Sequence, residues 1–247
     1  MLYQIIVASV IGGVLSLIGG LILLWREAFA RKVAFYLVSF AAGALLGAAF
    51  FDLIPEALEG GGEEVVGFIL VGIILVFVFE RFLGWYHYHN GHPHEHHTFT
   101  VQSVLLGDTL HNFIDGAAIA LSFAVSTEVG ITTTLAVFVH EIPQEIGDFG
   151  VLIKKGYQRG RIVLFNLLTA LATLVGAILT YFLFPYFPEG IVYYGLALTA
   201  GTFIYISTAD LIPELREHTS GGFGMGHAAM ILLGIVTVVL LSGIIVK

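Results

Sequence analysis

The sequence predicts an all-α polytopic membrane protein with eight transmembrane helices, forming one domain over residues 1–247. Composition carries this prediction, since 57% of the residues are hydrophobic and only 11% are charged. A soluble domain has roughly a quarter of its residues charged. The apolar residues also fall in long blocks that match the thickness of a bilayer. There is no cysteine, so disulfides and thiolate metal ligands are excluded.

These apolar blocks define eight spans, each of about twenty residues or slightly more. They are predicted at residues 4–24, 33–54, 64–86, 99–125, 128–153, 160–184, 190–212 and 226–246. The first block follows M-L-Y-Q, without a basic region before it or a clear cleavage site after it. It is therefore interpreted as a first span and not as a signal peptide.

The lysines and arginines fall almost entirely on one side of this arrangement. Those on the common side are Arg26, Arg31, Lys32, Arg81, Lys154, Lys155, Arg159, Arg161 and Arg216. Lys247 lies on the other side. The positive-inside rule places the common side in the cytoplasm. We therefore expect a multi-pass protein of the cell (inner) membrane with both termini outside.

Two loops have distinctive compositions. The loop after span two is acidic, with Glu56, Glu59, Glu63 and Glu64, and it is either a solvated loop or an attractor for cations entering from outside. The cytoplasmic loop at residues 87–97 is rich in histidine, a composition that binds transition metals; the alternative is an incidental polar tract. Its histidines are His87, His89, His92, His94, His96 and His97.

An internal repeat links spans two and seven. Each contains Ala-Gly, then eight residues, then D-L-I-P-E, which runs from Asp52 to Glu56 and from Asp210 to Glu214. In the predicted topology the two copies run in opposite directions across the membrane. Such inversion is typical of transporters built from inverted repeats. We expect spans 1–3 and 6–8 to be the repeats, flanking a central pair made of spans 4 and 5.

The central pair carries ionisable side chains at a depth where charge is costly. In span four, His111 and Asp115 are four residues apart and share one helical face. In span five, His140 and Gln144 share a face in the same way. The polar set on the two helices is Asp108, His111, Asn112, Asp115, His140, Glu141, Gln144, Glu145 and Asp148. Imidazole with carboxylate, and no sulfur, suits Zn²⁺, Fe²⁺ or Mn²⁺.

A polar network that only fixes helix packing is the alternative to a metal site. Matched stripes of histidine and carboxylate on two adjacent helices favour the metal site, because carboxylates with no nearby lysine or arginine need a cation. Asn166 in span six is an additional candidate, either as a ligand or as a hydrogen-bond donor between helices. Other hydroxyl residues in the spans, Thr169 and Thr173 among them, are interpreted as packing residues.

H-N-F-I-D-G in span four and H-E-I-P-Q-E-I-G-D-F in span five resemble the paired signatures of the ZIP (Zrt-, Irt-like) divalent metal transporters. The eight spans, the histidine-rich loop and the repeated span ends extend the resemblance to the whole chain. The span-five motif is most similar to the subfamily with H-E-x-P-H-E-x-G-D. This chain has Gln144 where that subfamily has histidine; other ZIP branches have glutamate there.

The resemblance implies two neighbouring metal sites that share Asp115. One matches His111, Asp115, His140 and Gln144. The other matches Asn112, Asp115, Glu141 and Gln144. It also implies movement of Zn²⁺, or of Fe²⁺, Mn²⁺ or Cd²⁺, into the cytoplasm by alternating access, with one helix group sliding against another, and a homodimer in the lipid bilayer.

In this hypothesis, cations collect at Asp52 and Glu56 and leave past Asp210 and Glu214. No catalytic residue, no nucleic-acid partner and no cofactor other than the transported metal are predicted. Two alternatives stay open: an intramembrane zinc protease, because H-E-I-P-Q is one residue from H-E-x-x-H, and a metal-selective channel.

Overall fold

The computed structural model describes residues 1–90, 101–188, 190–213, 215 and 224–245, without the side chains of Arg31, Ser103, residues 83–90 and residues 244–245. Across these ranges the protein is all-α, and each predicted span lies on a helix. The helices are α1 (Leu2–Trp25), α2 (Glu27–Gly61), α3 (Val66–Asn90), α4 (Val101–Val125), α5 (Thr127–Lys154), α6 (Arg159–Leu183), α7 (Ile191–Leu211) and α8 (Met225–Ile245).

Among the described residues, six helices are long and apolar enough to cross a membrane, namely α1, α2, α3, α6, α7 and α8. These helices make the chain a multi-pass membrane protein. The other two, α4 and α5, have 25 and 28 residues, which is also enough length for a bilayer. They differ in carrying the histidines and carboxylates of the central polar set.

Helix α2 is longer than predicted, because it continues past Pro55 to Gly61. Proline lacks the backbone N–H of a regular helix, and the chain accommodates this with a π-helical turn at Ala49–Leu53. The prediction that Glu56 and Glu59 lie in a loop is therefore wrong, since both are on the last turns of α2. The second copy of the repeat has a matching π-helical turn, Ile206–Leu211, before Pro213.

Three pairs of helices pack closely through reciprocal glycines. In the pair α4 and α6, a Cβ atom at Gly116 would overlap the backbone of Thr173, and one at Gly176 would overlap the backbone of Phe113. The pairs α2 with α8 and α3 with α7 have the same arrangement at Gly43 and Gly234, and at Gly72 and Gly201. Small residues let helix backbones approach closely, which is how membrane helices associate.

These contacts define two groups of helices, which also pack on each other through α2 and α5. Helix α1 packs on α5 through Gly19, and α5 packs on α4, so α1, α4, α5 and α6 form one group, called here the site group. Ser207 of α7 donates to the carbonyl of Ala42 in α2 at 2.9 Å, which joins the α2–α8 and α3–α7 pairs. Helices α2, α3, α7 and α8 are called here the flanking group.

We predict that Gly176→Ala destabilises the protein, because the added methyl group has no space against the carbonyl of Phe113. Overpacking of this kind costs typically about 1–3 kcal/mol. The measurement is the melting temperature of the purified protein in detergent. The matched control is Gly67→Ala in α3, where nothing lies within 4 Å of the new methyl group. Equal melting temperatures for the two variants would contradict the close packing of α4 on α6.

Candidate metal centre

A tight connection brings the two polar stripes face to face. Helix α4 ends at Val125 and α5 begins at Thr127. Ser126 caps α5 by accepting a hydrogen bond from the backbone N–H of Val129 at 3.1 Å. A connection this short makes the two helices antiparallel neighbours. Thr133 of α5 also donates to Ser122 of α4 at 2.9 Å, which fixes the register of the pair.

Four ligand atoms converge between these helices: Nε2 of His111, Nε2 of His140, a carboxylate oxygen of Asp115 and one of Glu141. The nitrogens are 3.1 Å apart. His140 Nε2 lies 3.0 Å from Asp115 Oδ2 and 3.6 Å from Glu141 Oε1, and His111 Nε2 lies 3.7 and 3.3 Å from the same atoms. Tetrahedral Zn²⁺ with bonds of about 2.0–2.1 Å separates its ligands by about 3.3 Å. The observed spacing therefore fits such an ion.

The hydrogen bond on the far side of His140 sets its tautomer. Nδ1 lies 2.9 Å from the carbonyl oxygen of Ala136 in the preceding turn. A carbonyl only accepts, so Nδ1 carries the proton and Nε2 presents its lone pair to the cluster. Fixing the tautomer of a histidine ligand through its other nitrogen is the usual arrangement in metal sites. His140 is thus oriented as a ligand.

The cluster is buried and has too few hydrogen-bond donors. His140, Glu141 and Asp115 are at most 1% exposed. Asp115 Oδ2 and both carboxylate oxygens of Glu141 are buried without a hydrogen-bond partner, and so is Gln144 Oε1. Buried polar atoms are normally paired. Unpaired acceptors beside two imidazole nitrogens are what a cation would satisfy.

A cavity of about 350 Å³ adjoins the cluster. His111, Gln144, Asp108 and Asp148 line it from the site group. Glu80 of α3 and Asp210 of α7 line it from the flanking group. The cavity therefore connects the histidine cluster to the end of the bundle at which α3 and α7 carry these two acidic residues.

Asn112 is next to the cluster, but both ends of its amide already have partners. Its Nδ2 donates to Asp108 Oδ1 at 2.9 Å, and its Oδ1 accepts from Thr173 of α6 at 2.7 Å. A carbonyl oxygen has a second lone pair, so Asn112 keeps the capacity to bind a cation. The sequence predicted Thr173 to be a packing residue, so its contact with Asn112 was missed. The hydroxyl group itself was the signal in the sequence that could have indicated this contact.

The other predicted residues are distributed along the bundle. Asp52 is buried in α2 and accepts a hydrogen bond from Ser242 of α8 at 2.6 Å, a partner that the sequence analysis did not identify. Asn166 donates within its own helix to Ile162 at 2.7 Å, and its predicted role as a ligand or as a donor between helices stays a prediction. Glu145 is buried one turn beyond Glu141. Glu214 and His92, His94, His96 and His97 lie outside the described residues, as do the side chains of His87 and His89.

Several known proteins are similar in sequence to this chain. The chain is 34% identical over 226 residues to zinc transporter ZIP13 of Pongo abelii, covering 83% of this chain and 66% of the relative. It is 41% identical over 143 residues to zinc transporter zipt-7.2 of Caenorhabditis elegans, covering 56% of this chain and 30% of the relative. It is 39% identical over 121 residues to human zinc transporter ZIP6, covering 49% of this chain and 16% of the relative. The chain thus spans less than two thirds of the length of each of these relatives.

The family comparison covers nearly the whole sequence. The model of the ZIP zinc transporter family matches residues 2–103 and 88–242. These ranges include the signatures at His111 and His140 and both copies of the D-L-I-P-E repeat. The chain belongs to the ZIP zinc transporter family.

Proposed function

We propose that the protein carries divalent transition metal cations, with Zn²⁺ as the best fit, across a cell membrane into the cytoplasm. The observation that carries the proposal is the convergence of the four buried ligand atoms of His111, Asp115, His140 and Glu141. Family membership and relatives named zinc transporters support it. Two nitrogens with two oxygens also tolerate Fe²⁺, Mn²⁺ and Cd²⁺.

The proposed route begins and ends at the repeated acidic segments. Asp52 and Glu56 on α2 receive cations at the outer end. Asp210 on α7 lines the cavity beside the histidine cluster, and Glu214 follows it in sequence. We propose that Asp108 and Asp148, which line the same cavity, pass the ion toward the cytoplasm. The histidine-rich segment at residues 87–97 begins on the last turn of α3 and is proposed to bind metal on the same side.

Alternating access is supported by the division into two helix groups. The four ligand atoms all belong to α4 and α5, so the site moves as a unit with the site group. Hydrogen bonds between helices hold each group together, as at Thr173 and Asn112 in the site group and at Tyr205 and Glu80, 2.8 Å apart, in the flanking group. We propose that the site group slides against the flanking group and exposes the metal to one side at a time.

The proposed topology has eight spans with both termini outside, in the inner membrane of a cell. Helices α4 and α5 complete the eight, since their polar side chains face one another and not the lipid. The matching π-helical turns at Asp52 and Asp210 support an inverted repeat of spans 1–3 and 6–8. The homodimer implied by the resemblance stays a prediction.

A zinc protease is the weaker alternative. Gln144 stands where H-E-x-x-H requires its second histidine, and the family is one of transporters. A metal-selective channel differs from a carrier in its kinetics, because a carrier saturates with substrate while it changes conformation. Saturable uptake therefore favours the carrier.

We predict that labelling of single introduced cysteines will show which side of the membrane each loop occupies, because the sequence contains no cysteine. A cysteine at Lys154 is expected to react with a membrane-impermeant maleimide only after the cells are opened. A cysteine at Glu59 is expected to react in intact cells. Labelling of Lys154→Cys in intact cells would overturn the proposed orientation.

We predict that the double variant His111→Ala with Asp115→Ala loses Zn²⁺ uptake in proteoliposomes. Changing one residue that hydrogen-bonds a metal ligand already lowers metal affinity or activity by about 10–100-fold. Loss of two ligands is therefore expected to lower the uptake rate by more than about 100-fold. Thr134→Val is the control, because the Thr134 hydroxyl donates to the carbonyl of Gly130 in its own helix at 2.6 Å. Undiminished uptake by a well-folded double variant would refute the transport site.

We predict that Gln144→His increases the preference for Zn²⁺ over Mn²⁺. An imidazole nitrogen replaces an unpaired amide oxygen, and nitrogen favours Zn²⁺ more than Mn²⁺. The half-saturating Zn²⁺ concentration is expected to fall on the order of tenfold, equivalent to about 1.4 kcal/mol. The measurement is Zn²⁺ uptake with Mn²⁺ as competitor, with Gln144→Asn as the control that keeps an amide. An unchanged competition curve would mean that residue 144 does not contact the ion.

A further inference from the structure

A second set of unpaired buried oxygens lies in the site group beyond the four ligand atoms. Glu145 is 1% exposed, and neither of its carboxylate oxygens has a hydrogen-bond partner. The charged side chains that act on it are Asp108, Glu141 and Asp148, all of them acidic. A buried carboxylate surrounded by other carboxylates is very unfavourable unless a cation compensates it.

Asp108 contributes a carboxylate oxygen that is buried without a hydrogen-bond partner. Its Oδ1 accepts from Asn112 at 2.9 Å, while its Oδ2 is buried without a partner. Thr169 of α6 lies beside this carboxylate. The hydroxyl hydrogen of Thr169 is already donated to the backbone carbonyl of Asn166 at 2.9 Å. Asp108 Oδ2 can therefore accept a cation.

Asn166 adds a neutral oxygen from α6. It is fully buried, and its Nδ2 donates to Ile162 of its own helix at 2.7 Å. Its Oδ1 has no partner. Asn166 lies three residues before Thr169 and seven before Thr173, so all three share the face of α6 that contacts Asp108 and Asn112. Because the Nδ2 of this amide is bonded within its own helix, its buried Oδ1 remains available to a cation.

We propose that Asp108, Glu145 and Asn166 form a second cation-binding position, made of oxygen ligands only. It differs from the histidine site, and from the neighbouring site that the resemblance implies, in every residue. Two carboxylates balance one divalent ion, and a set of carboxylate and carbonyl oxygens suits hard cations such as Mn²⁺, Mg²⁺ or Ca²⁺. Asp108 also lines the cavity, which gives the ion a route in.

The test measures Mn²⁺ binding to the full chain, purified in detergent, by electron paramagnetic resonance and equilibrium dialysis. The double variant His111→Ala with His140→Ala removes both nitrogen ligands. We expect it to retain at least one equivalent of bound Mn²⁺, because the neighbouring site that the resemblance implies also keeps its oxygen ligands. Adding Glu145→Gln is expected to weaken that binding by at least about tenfold, while adding Glu128→Gln, the same charge change near the start of α5, leaves it unchanged.

Absence of bound Mn²⁺ in the histidine double variant would overturn the proposal, and so would unchanged affinity after Glu145→Gln. Asn166→Asp gives an independent arm, because a third carboxylate is expected to tighten Mn²⁺ binding. That arm decides the question if Glu145→Gln does not yield folded protein: unchanged or weaker binding by Asn166→Asp would then refute the site. Because binding is measured without a membrane or a gradient, failure of this test is distinguishable from failure of transport.

Discussion

The structure depends on an excess of hydrogen-bond acceptors over donors between α4, α5 and α6. The carboxylates of Asp115, Glu141 and Glu145 and the amide oxygens of Gln144 and Asn166 all have buried oxygens without a partner. Buried polar atoms without a partner are costly. In the proposed function, entering cations offset this cost with charge that the chain itself does not supply.

Close helix packing is what holds these acceptors together. Gly116 and Gly176 let α4 and α6 approach until the backbones touch, which places Thr173 against Asn112 and Thr169 against Asp108. The same close approach joins α2 to α8 and α3 to α7 in the flanking group. All four ligand atoms of the histidine cluster lie on α4 and α5, so the proposed sliding of the site group would leave the site intact.

The sequence predicted the helices and the polar set that supplies the four converging atoms. The resemblance, however, placed Gln144 and not Glu141 beside the two histidines. Apolar blocks of bilayer length predicted each helix, and the four-residue spacing of His111 and Asp115 placed both on one face. Hydrogen-bond partners were harder to predict from the sequence. They depend on how each helix is rotated and on whether a backbone carbonyl of the same helix competes for the donor. Asn166 shows this: its Nδ2 turned to the nearest carbonyl of its own helix, the usual local solution for such side chains. The length of α2 was missed because a π-helical turn absorbs Pro55.

The net charge of the histidine cluster determines how costly it would be to move the metal-filled site through a low-dielectric region. Asp115 and Glu141 bring two negative charges, and two neutral imidazoles bring none, so one divalent cation makes the site neutral. Moving a neutral site past the flanking group costs far less than moving two uncompensated charges. Gln144 preserves this balance, whereas a glutamate at the same position would leave the loaded site with one negative charge. The proposed oxygen-only position follows the same rule, with Asp108 and Glu145 offset by a second divalent ion. The neutrality of the filled sites, more than their affinity, is therefore the property that fits the site group to the proposed transport.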